Sequence, residues 1–378
     1  MSILGRHVLR SVLVGWIALG CGQACAETII IGQTLPLSGR SNVLANELAA
    51  GRAACLAAAD ASSTSAGRTL RLVTLDDRGN SQVALKNAIS LMEQSGAVAL
   101  FGPMGTSTSS ELLPWALRMK MPVVGPYGGD VASRSKDWAT TFFVTANLSA
   151  EAQRIAEHLA SLGTHKVAVA YSEDPDGKAE LEAFEEGLAV TGLRLSMALP
   201  VKVDGSDLPS IMKRISSANP EVVLLATTGA TTIATLKAME ASRMAGAAPT
   251  SAYTLSSGAT QDELSSLGSA ARGLTISQVV PSPYDTTLPV IVTYQAAMRV
   301  AGHKPSYASL EGCLDALTLV DVLKRKEGEV TRSGLLKALR STGVVKLGGF
   351  EIDLADRDKP GSKFTDIVLF GNDGRVIH

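Results

Sequence analysis

Apolar and polar positions along this chain follow two periods that take turns. Short β-branched runs read as buried strands: Thr28-Ile29-Ile30-Ile31-Gly32, Leu70 to Leu75, Ala97 to Gly102 and Pro122 to Pro126. Between them lie stretches with helical spacing, Glu47 to Ala59, Ser81 to Gln94 and Ser109 to Met119. The rhythm restarts after Asn147. Helices are predicted over 150–162, 178–190, 208–217 and 231–244, with strands over 166–171, 193–197, 221–226, 251–255 and 273–280. Strands alternating with helices of this length indicate βαβ units and parallel sheets, an α/β fold. Two such sets in succession predict two similar lobes. No Gly/Ser-rich linker divides them, so short structured crossings must join them. Beyond Pro289 the pattern is helical over 290–301, 307–324 and 331–340. The tail segments Gly349 to Leu354 and Phe364 to Phe370 alternate like a hairpin around a solvated loop, 355–363.

The first 26 residues have a different character. Arg6, His7 and Arg10 form a positive front, Ser11 to Leu19 is apolar but too short to span a bilayer, and Ala24-Cys25-Ala26 offers small residues for cleavage. These features predict a signal peptide over 1–26, a mature start at Glu27 and export to the periplasm. Ala18-Leu19-Gly20-Cys21 loosely resembles a lipobox, so lipid anchoring at Cys21 is a lesser alternative. The remaining chain, roughly 350 residues, is long enough for two domains with sizeable cores. A formal net charge of −1 and 4 % aromatics argue against nucleic acid, which needs a basic face and stacking surfaces. Cys55 and Cys313 are the only mature cysteines. An oxidising compartment permits their pairing, yet both lie in apolar helical stretches, and buried free thiols are the expectation.

Enzyme motifs are missing. There is no G-x-S-x-G elbow, no G-x-x-x-x-G-K-[ST] loop and no H-E-x-x-H helix, and the histidines are scattered. No C-x-x-C spacing suggests a metal, and no cofactor is expected. Asp76-Asp77 ends a strand and reads as a turn cap. In open parallel sheets ligands bind beyond the carboxyl ends of strands. Two such edges stand out. In Gly102-Pro103-Met104-Gly105-Thr106-Ser107-Thr108-Ser109-Ser110, the residues from Thr106 through Ser107 to Ser109 offer backbone N–H groups and hydroxyls at a helix N-terminus. That arrangement suits a carboxylate, and it equally suits ordinary N-capping. In Gly125-Pro126-Tyr127-Gly128-Gly129-Asp130, Gly128 and Gly129 permit close backbone approach and Tyr127 can cover an apolar face, or simply fill the core.

The segments Ile31 to Gly39, Leu75-Asp76-Asp77, Phe101-Gly102-Pro103, Pro122 to Pro126, Ala218 to Val223 and Phe370 to Arg375, in this order and spacing, resemble the leucine/isoleucine/valine-binding group of periplasmic binding proteins. The resemblance covers the whole mature chain. It implies the type 1 periplasmic binding fold: two doubly wound parallel-sheet lobes joined by three hinge crossings, closing on a ligand. Lobe one would hold 27–145 plus 281–343, and lobe two 146–280 plus 344–378. Phe143 to Asn147 and Gln278 to Pro283 read as crossings, where prolines limit the backbone states. The resemblance further implies a non-enzymatic receptor that passes a small-molecule solute to an inner-membrane ABC permease, or else a sensing module for a chemoreceptor or sensor kinase; a monomer is the default expectation.

By the same resemblance, Thr106 falls on a hydroxyl contact, while Gly129 stands where a Thr contact is expected. Second-lobe contacts fall near Ser149, Asp176, Thr228 and Ser256. Here the chain departs from the amino-acid binders. Ser256 replaces the acid that meets the ligand ammonium, Ser149 replaces another acid, and Asp176 replaces an aromatic residue. A buried ammonium robbed of its carboxylate costs about 3–5 kcal/mol, a hundredfold or more in affinity. Asp174, Asp176 and Glu151 are the candidates to compensate. The expected solute therefore bears a carboxylate, as an amino acid or as an amine-free aromatic or aliphatic acid.

Overall fold

A computed structural model describes residues 27–39, 41–61, 68–128, 139–355, 361–371 and 376–377. The expected signal peptide, Cys21, Gly129, Asp130 and the tail segment 372–375 lie outside the described residues. Two sheets organise the chain. The first has the order β2-β1-β3-β4-β5, from β1 (Thr28–Leu35), β2 (Thr69–Asp76), β3 (Ala99–Phe101), β4 (Val123–Val124) and β5 (Thr141–Phe142), all parallel. In the second, β6 (Val167–Ser172), β7 (Leu195–Val201), β8 (Val222–Ala226), β9 (Ser251–Thr254) and β10 (Thr275–Gln278) repeat that order as parallel neighbours, β7-β6-β8-β9-β10. Each sheet is thus a doubly wound α/β unit, as the strand–helix alternation predicted. The central strands are apolar throughout because helices cover both faces; β8 is buried at every position.

The tail departs from expectation. Segments 349–354 and 364–370 do not form a hairpin with each other. Instead β11 (Val344–Lys346) pairs antiparallel with β12 (Glu351–Asp353), while β13 (Asp366–Phe370) pairs antiparallel with β10 and carries β14 (Val376–Ile377) at the sheet edge. Alternation marks which side chains face inward but leaves the partner strand open. Val345, Phe350, Ile352 and Leu354 pack in the same core as Ile29 and Ile31 of the first sheet. The β11–β12 ribbon therefore belongs with the first sheet, not with the 344–378 tail.

The helices α9 (Pro289–Val300), α10 (Tyr307–Arg325) and α11 (Arg332–Ser341) also close over the first sheet. Helix α10 lies on α1 (Asn42–Ala61), and the two backbones nearly touch. A Cβ on Gly51 would stand 1.8 Å from the Ser309 carbonyl oxygen, and one on Gly312 would stand 2.1 Å from that of Leu48. Such proximity brings Cys55 and Cys313 to a Cα–Cα distance of 5.3 Å, where they form a disulfide. Free thiols were the expectation; apolar helical context cannot report that two helices 258 residues apart in sequence face each other.

The chain passes between the two sheets three times: from β5 to α4 (Leu148–Ser161), from β10 to α9, and from β12 to β13. The first and third passages run side by side, since a Cβ on Gly361 would lie 1.9 Å from the Phe143 carbonyl oxygen.

Candidate functional site

The carboxyl ends of both sheets face a common cavity of about 390 Å³. From the first sheet come the loop after β1, with Pro36 and Ser38, and the start of α3 (Thr106–Met119) after β3. From the second come Asp174 and Asp176 after β6, Thr228 after β8 and Ser257 after β9. Both sets lie where the strand order reverses, between β1 and β3 and between β6 and β8, the place where open α/β sheets bind ligands.

Glycine sets up the first wall. Gly105 is the N-cap of α3 with φ 90°, and it supplies no capping side chain, so the first N–H groups of the helix point into the cavity. Tyr127 fixes this loop. Its N–H donates to Pro103 O at 2.9 Å, and its carbonyl accepts from Gly105 N–H at 3.0 Å. The ring is buried against Leu35, Leu44 and Leu48 while still lining the cavity, and burial pushes its hydroxyl pKa well up. Tyr127 thus fills the core and borders the cavity at once.

The second wall starts at α5 (Pro175–Val190), capped by Asp174, whose Oδ1 accepts from Gly177 N–H at 2.9 Å. Asp176 in its first turn reaches across the cavity, and its Oδ1 accepts from Thr106 N–H at 2.5 Å. One carboxylate thus sits between two helix N-termini, where both dipoles favour negative charge. Beside it, Thr106 Oγ1 and Ser109 Oγ are buried without a hydrogen-bond partner.

Behind the first wall lies a residue that sequence reasoning missed. Arg52 of α1 is fully buried and spreads its donors over Asp315 Oδ2 (2.8 and 3.0 Å), Gly102 O (3.3 Å), Gly125 O (2.7 Å) and Gln33 Oε1 (3.4 Å). It ties the carboxyl ends of β3 and β4 to α10, fixing the two loops that line the cavity. Burial pushes the Asp315 carboxyl up to about 7 and the Arg52 guanidinium down, and their contact works against both shifts. The only sequence signal was a lone cation in the run Ala49-Ala50-Gly51-Arg52-Ala53-Ala54.

Asp76 and Asp77 cap turns, as read. Asp76 accepts from Leu37, Ser38 and Arg78 N–H and from Ser38 Oγ, hydrogen bonds that hold its pKa down, with Ser38 Oγ first among them. The turn places Arg78, with φ 57°, on the cavity rim.

Of the eight residues singled out, Thr106, Ser107, Tyr127, Gly128, Asp176 and Thr228 line the cavity together. Ser149 does not; it sits on α4 and donates to Glu186 Oε2 at 3.3 Å. Ser256 lies just behind the cavity, giving its N–H and Oγ to buried Glu151, which also accepts from Ser277 Oγ at 2.6 Å. Ser38, Ser41, Arg78, Glu180, Thr231 and Ser257 also line the cavity and were not foreseen. Among the described residues no cluster of His, Cys, Asp or Glu is arranged to hold a metal ion, and no helix is long and apolar enough to cross a membrane.

The sequence model of a periplasmic binding protein family matches residues 28–378. The chain belongs to this periplasmic binding protein family. Proteins of this family bind solutes in the periplasm and are not enzymes. No curated protein matches the chain. Among solved periplasmic binding proteins and their relatives, an extracellular ligand-binding receptor from Verminephrobacter eiseniae is 26 % identical with a TM-score of 0.84, over 93 % of this chain and all of that one. A branched-chain amino acid ABC transporter protein from Thermus thermophilus with bound valine shares 18 % identity and a TM-score of 0.82, covering 93 % and 95 % of the two chains. A solute-binding protein from R. palustris in complex with benzoate shares 14 % identity and a TM-score of 0.80, with the same coverage. At such identities the last two establish the common fold of periplasmic binding proteins and nothing about this chain's solute.

Proposed function

We propose that this protein is the solute-binding component of an ABC-type importer and captures a small carboxylate-bearing solute between its two sheets by hinge closure. The lobes of this reading hold 27–142 with about 289–354, and 148–278 with 366–377. One observation carries the solute class: the N-terminus of α3 already holds a carboxylate, that of Asp176, on Thr106 N–H. A solute carboxylate takes that place, and the unpartnered Thr106 Oγ1 at the cavity wall adds a hydrogen bond that Asp176 leaves unmade. Thr106, Ser107, Tyr127, Gly128 and Thr228 then form its walls, and Asp176 is the gate it displaces. The closed complex is the form an inner-membrane permease would read. The protein acts as a monomer and without a cofactor in this account.

A thermal-shift screen of amino acids, aromatic acids and small amides tests the reading, since a bound solute raises stability by RT ln(1 + [L]/Kd). An acid that stabilises the wild type should lose about 1–3 kcal/mol of binding in Thr106→Val, through an oxygen left unpaired. Unchanged affinity in that variant, measured by calorimetry, takes Thr106 out of the site.

A further inference from the structure

The cavity carries more acid than its solute's carboxylate explains. Asp174, Asp176 and Glu180 all line it, against one cation, Arg78, at the exposed rim. Asp174 is committed to capping α5, and Asp176 to Thr106. Glu151, deeper in, accepts three hydrogen bonds from Ser256 and Ser277. Glu180 is different. It is 2 % exposed, its Oε1 accepts from Ser257 Oγ at 2.6 Å, and its Oε2 has no hydrogen-bond partner. None of the ion pairs among the described residues involves it.

A buried carboxylate oxygen without a donor is costly, and an ionised one more so. The surroundings make it worse. Asp176 from the same helix, Glu151 from α4, Asp174 from the preceding loop and the Tyr127 ring face it with no cation among them, and burial pushes its pKa well up. Glu180, a residue of the cavity wall, therefore lacks a donor for Oε2, and the field around it favours a positive one. Glu180 follows Asp176 by four residues on α5, so the two stand about one turn apart on one helix face. A solute lying along that face presents its carboxylate to α3 and a second group to Glu180.

We propose that Glu180, oriented by Ser257, binds a cationic nitrogen of the solute, so that the solute is an amine- or amidine-bearing acid rather than an amine-free one. The inference rests on the carboxylate reading above and narrows it. It also relocates the acid that the sequence lacks at Ser256 and Ser149: the partner for the nitrogen comes from the second turn of α5.

Calorimetry on three matched pairs tests this: L-leucine and 4-methylpentanoate, L-phenylalanine and 3-phenylpropanoate, 4-guanidinobutanoate and pentanoate. The wild type should favour the nitrogen-bearing member of at least one pair by ~30-fold or more, the loss expected when one member of a buried charged pair is removed. Glu180→Gln should erase that preference and leave the amine-free member within about threefold of its wild-type affinity. Ser257→Ala should weaken the preference in part, with the thermal midpoint of each ligand-free variant confirming that it is folded. Amine-free acids that bind as tightly as their partners, with Glu180→Gln changing neither, overturn the nitrogen subsite while the carboxylate reading stands. A protein that binds none of the six loses both.

Discussion

At the scale of single residues, the site depends on charges placed where water is absent. Arg52 is the clearest case. Its guanidinium satisfies two carbonyl oxygens at the strand ends that carry the cavity loops, and Asp315 balances its charge. Arg52→Met should cost about 3–5 kcal/mol, because it strands the buried Asp315 carboxylate rather than because the pair itself is strongly stabilising. Chemical denaturation measures this. Pairing the change with Asp315→Asn should recover part of the loss, and a double variant no better than the single one would contradict the account.

At the scale of elements, α1 brings Glu47 against α8 (Gln261–Ser265), an element of the second sheet's half. Burial first, then Asp262 and Glu263, raise the Glu47 carboxyl from 4.5 to about 7, opposed by hydrogen bonds to Ser306 and Thr260. The folded arrangement thus prefers the protonated form. Below the ordinary carboxylate range both folded and unfolded chains hold the proton, and nothing is lost. As pH rises from about 4.5 to 7 the unfolded chain releases it first, so the folded state is progressively penalised, fully so above about 7. Glu47→Gln removes this penalty, and its unfolding midpoint should gain on the wild type between pH 5 and pH 8. A constant difference across that range would mean that Glu47 titrates normally. Elements were largely legible beforehand. Nearly all the predicted helices and strands occur, and several boundaries follow local signals such as Asn80 capping α2 (Ser81–Glu93), Asn147 capping α4 and Asp174 capping α5. Helix α3 begins earlier than predicted, because its first turn, Thr106 to Ser109, is polar and carries no apolar period; α1 also begins earlier, although Val43, Leu44 and Ala45 in its first turn are apolar.

At the scale of the whole molecule, the Cys55–Cys313 bridge joins α1 to α10 across a sequence separation of 258 residues, closing a loop that contains β2 to β5 of the first sheet and all five parallel strands of the second. Constraining so long a loop in the unfolded chain is worth about 2–5 kcal/mol. The Cys55→Ser/Cys313→Ser variant should melt several degrees lower than the oxidised wild type, and reductant should lower the wild type to nearly the same midpoint. Equal midpoints for variant and oxidised protein would leave the bridge without a stabilising role. A bridge of this kind suits an oxidising compartment, the setting of the periplasmic binding protein family.

By itself the sequence determined what depends on neighbours along the chain: the two periods of apolar spacing, the turns closed by Asp76 and Asp77, and the hydroxyl- and glycine-rich ends of strands. These sufficed for the fold class and for four of the cavity residues, Thr106, Ser107, Tyr127 and Gly128, while Asp176 and Thr228 came from the family resemblance. The tertiary structure alone decided the pairings between remote segments. It set β12 against β11 rather than β13, joined Cys55 to Cys313, moved Ser149 out of the cavity, aimed Asp176 at Thr106 and left Glu180 Oε2 buried without a hydrogen-bond partner. The reason is the same in each case. A side chain's period records whether it faces inward, whereas its partner is chosen by distances and charges that exist only once the sheets have been brought together.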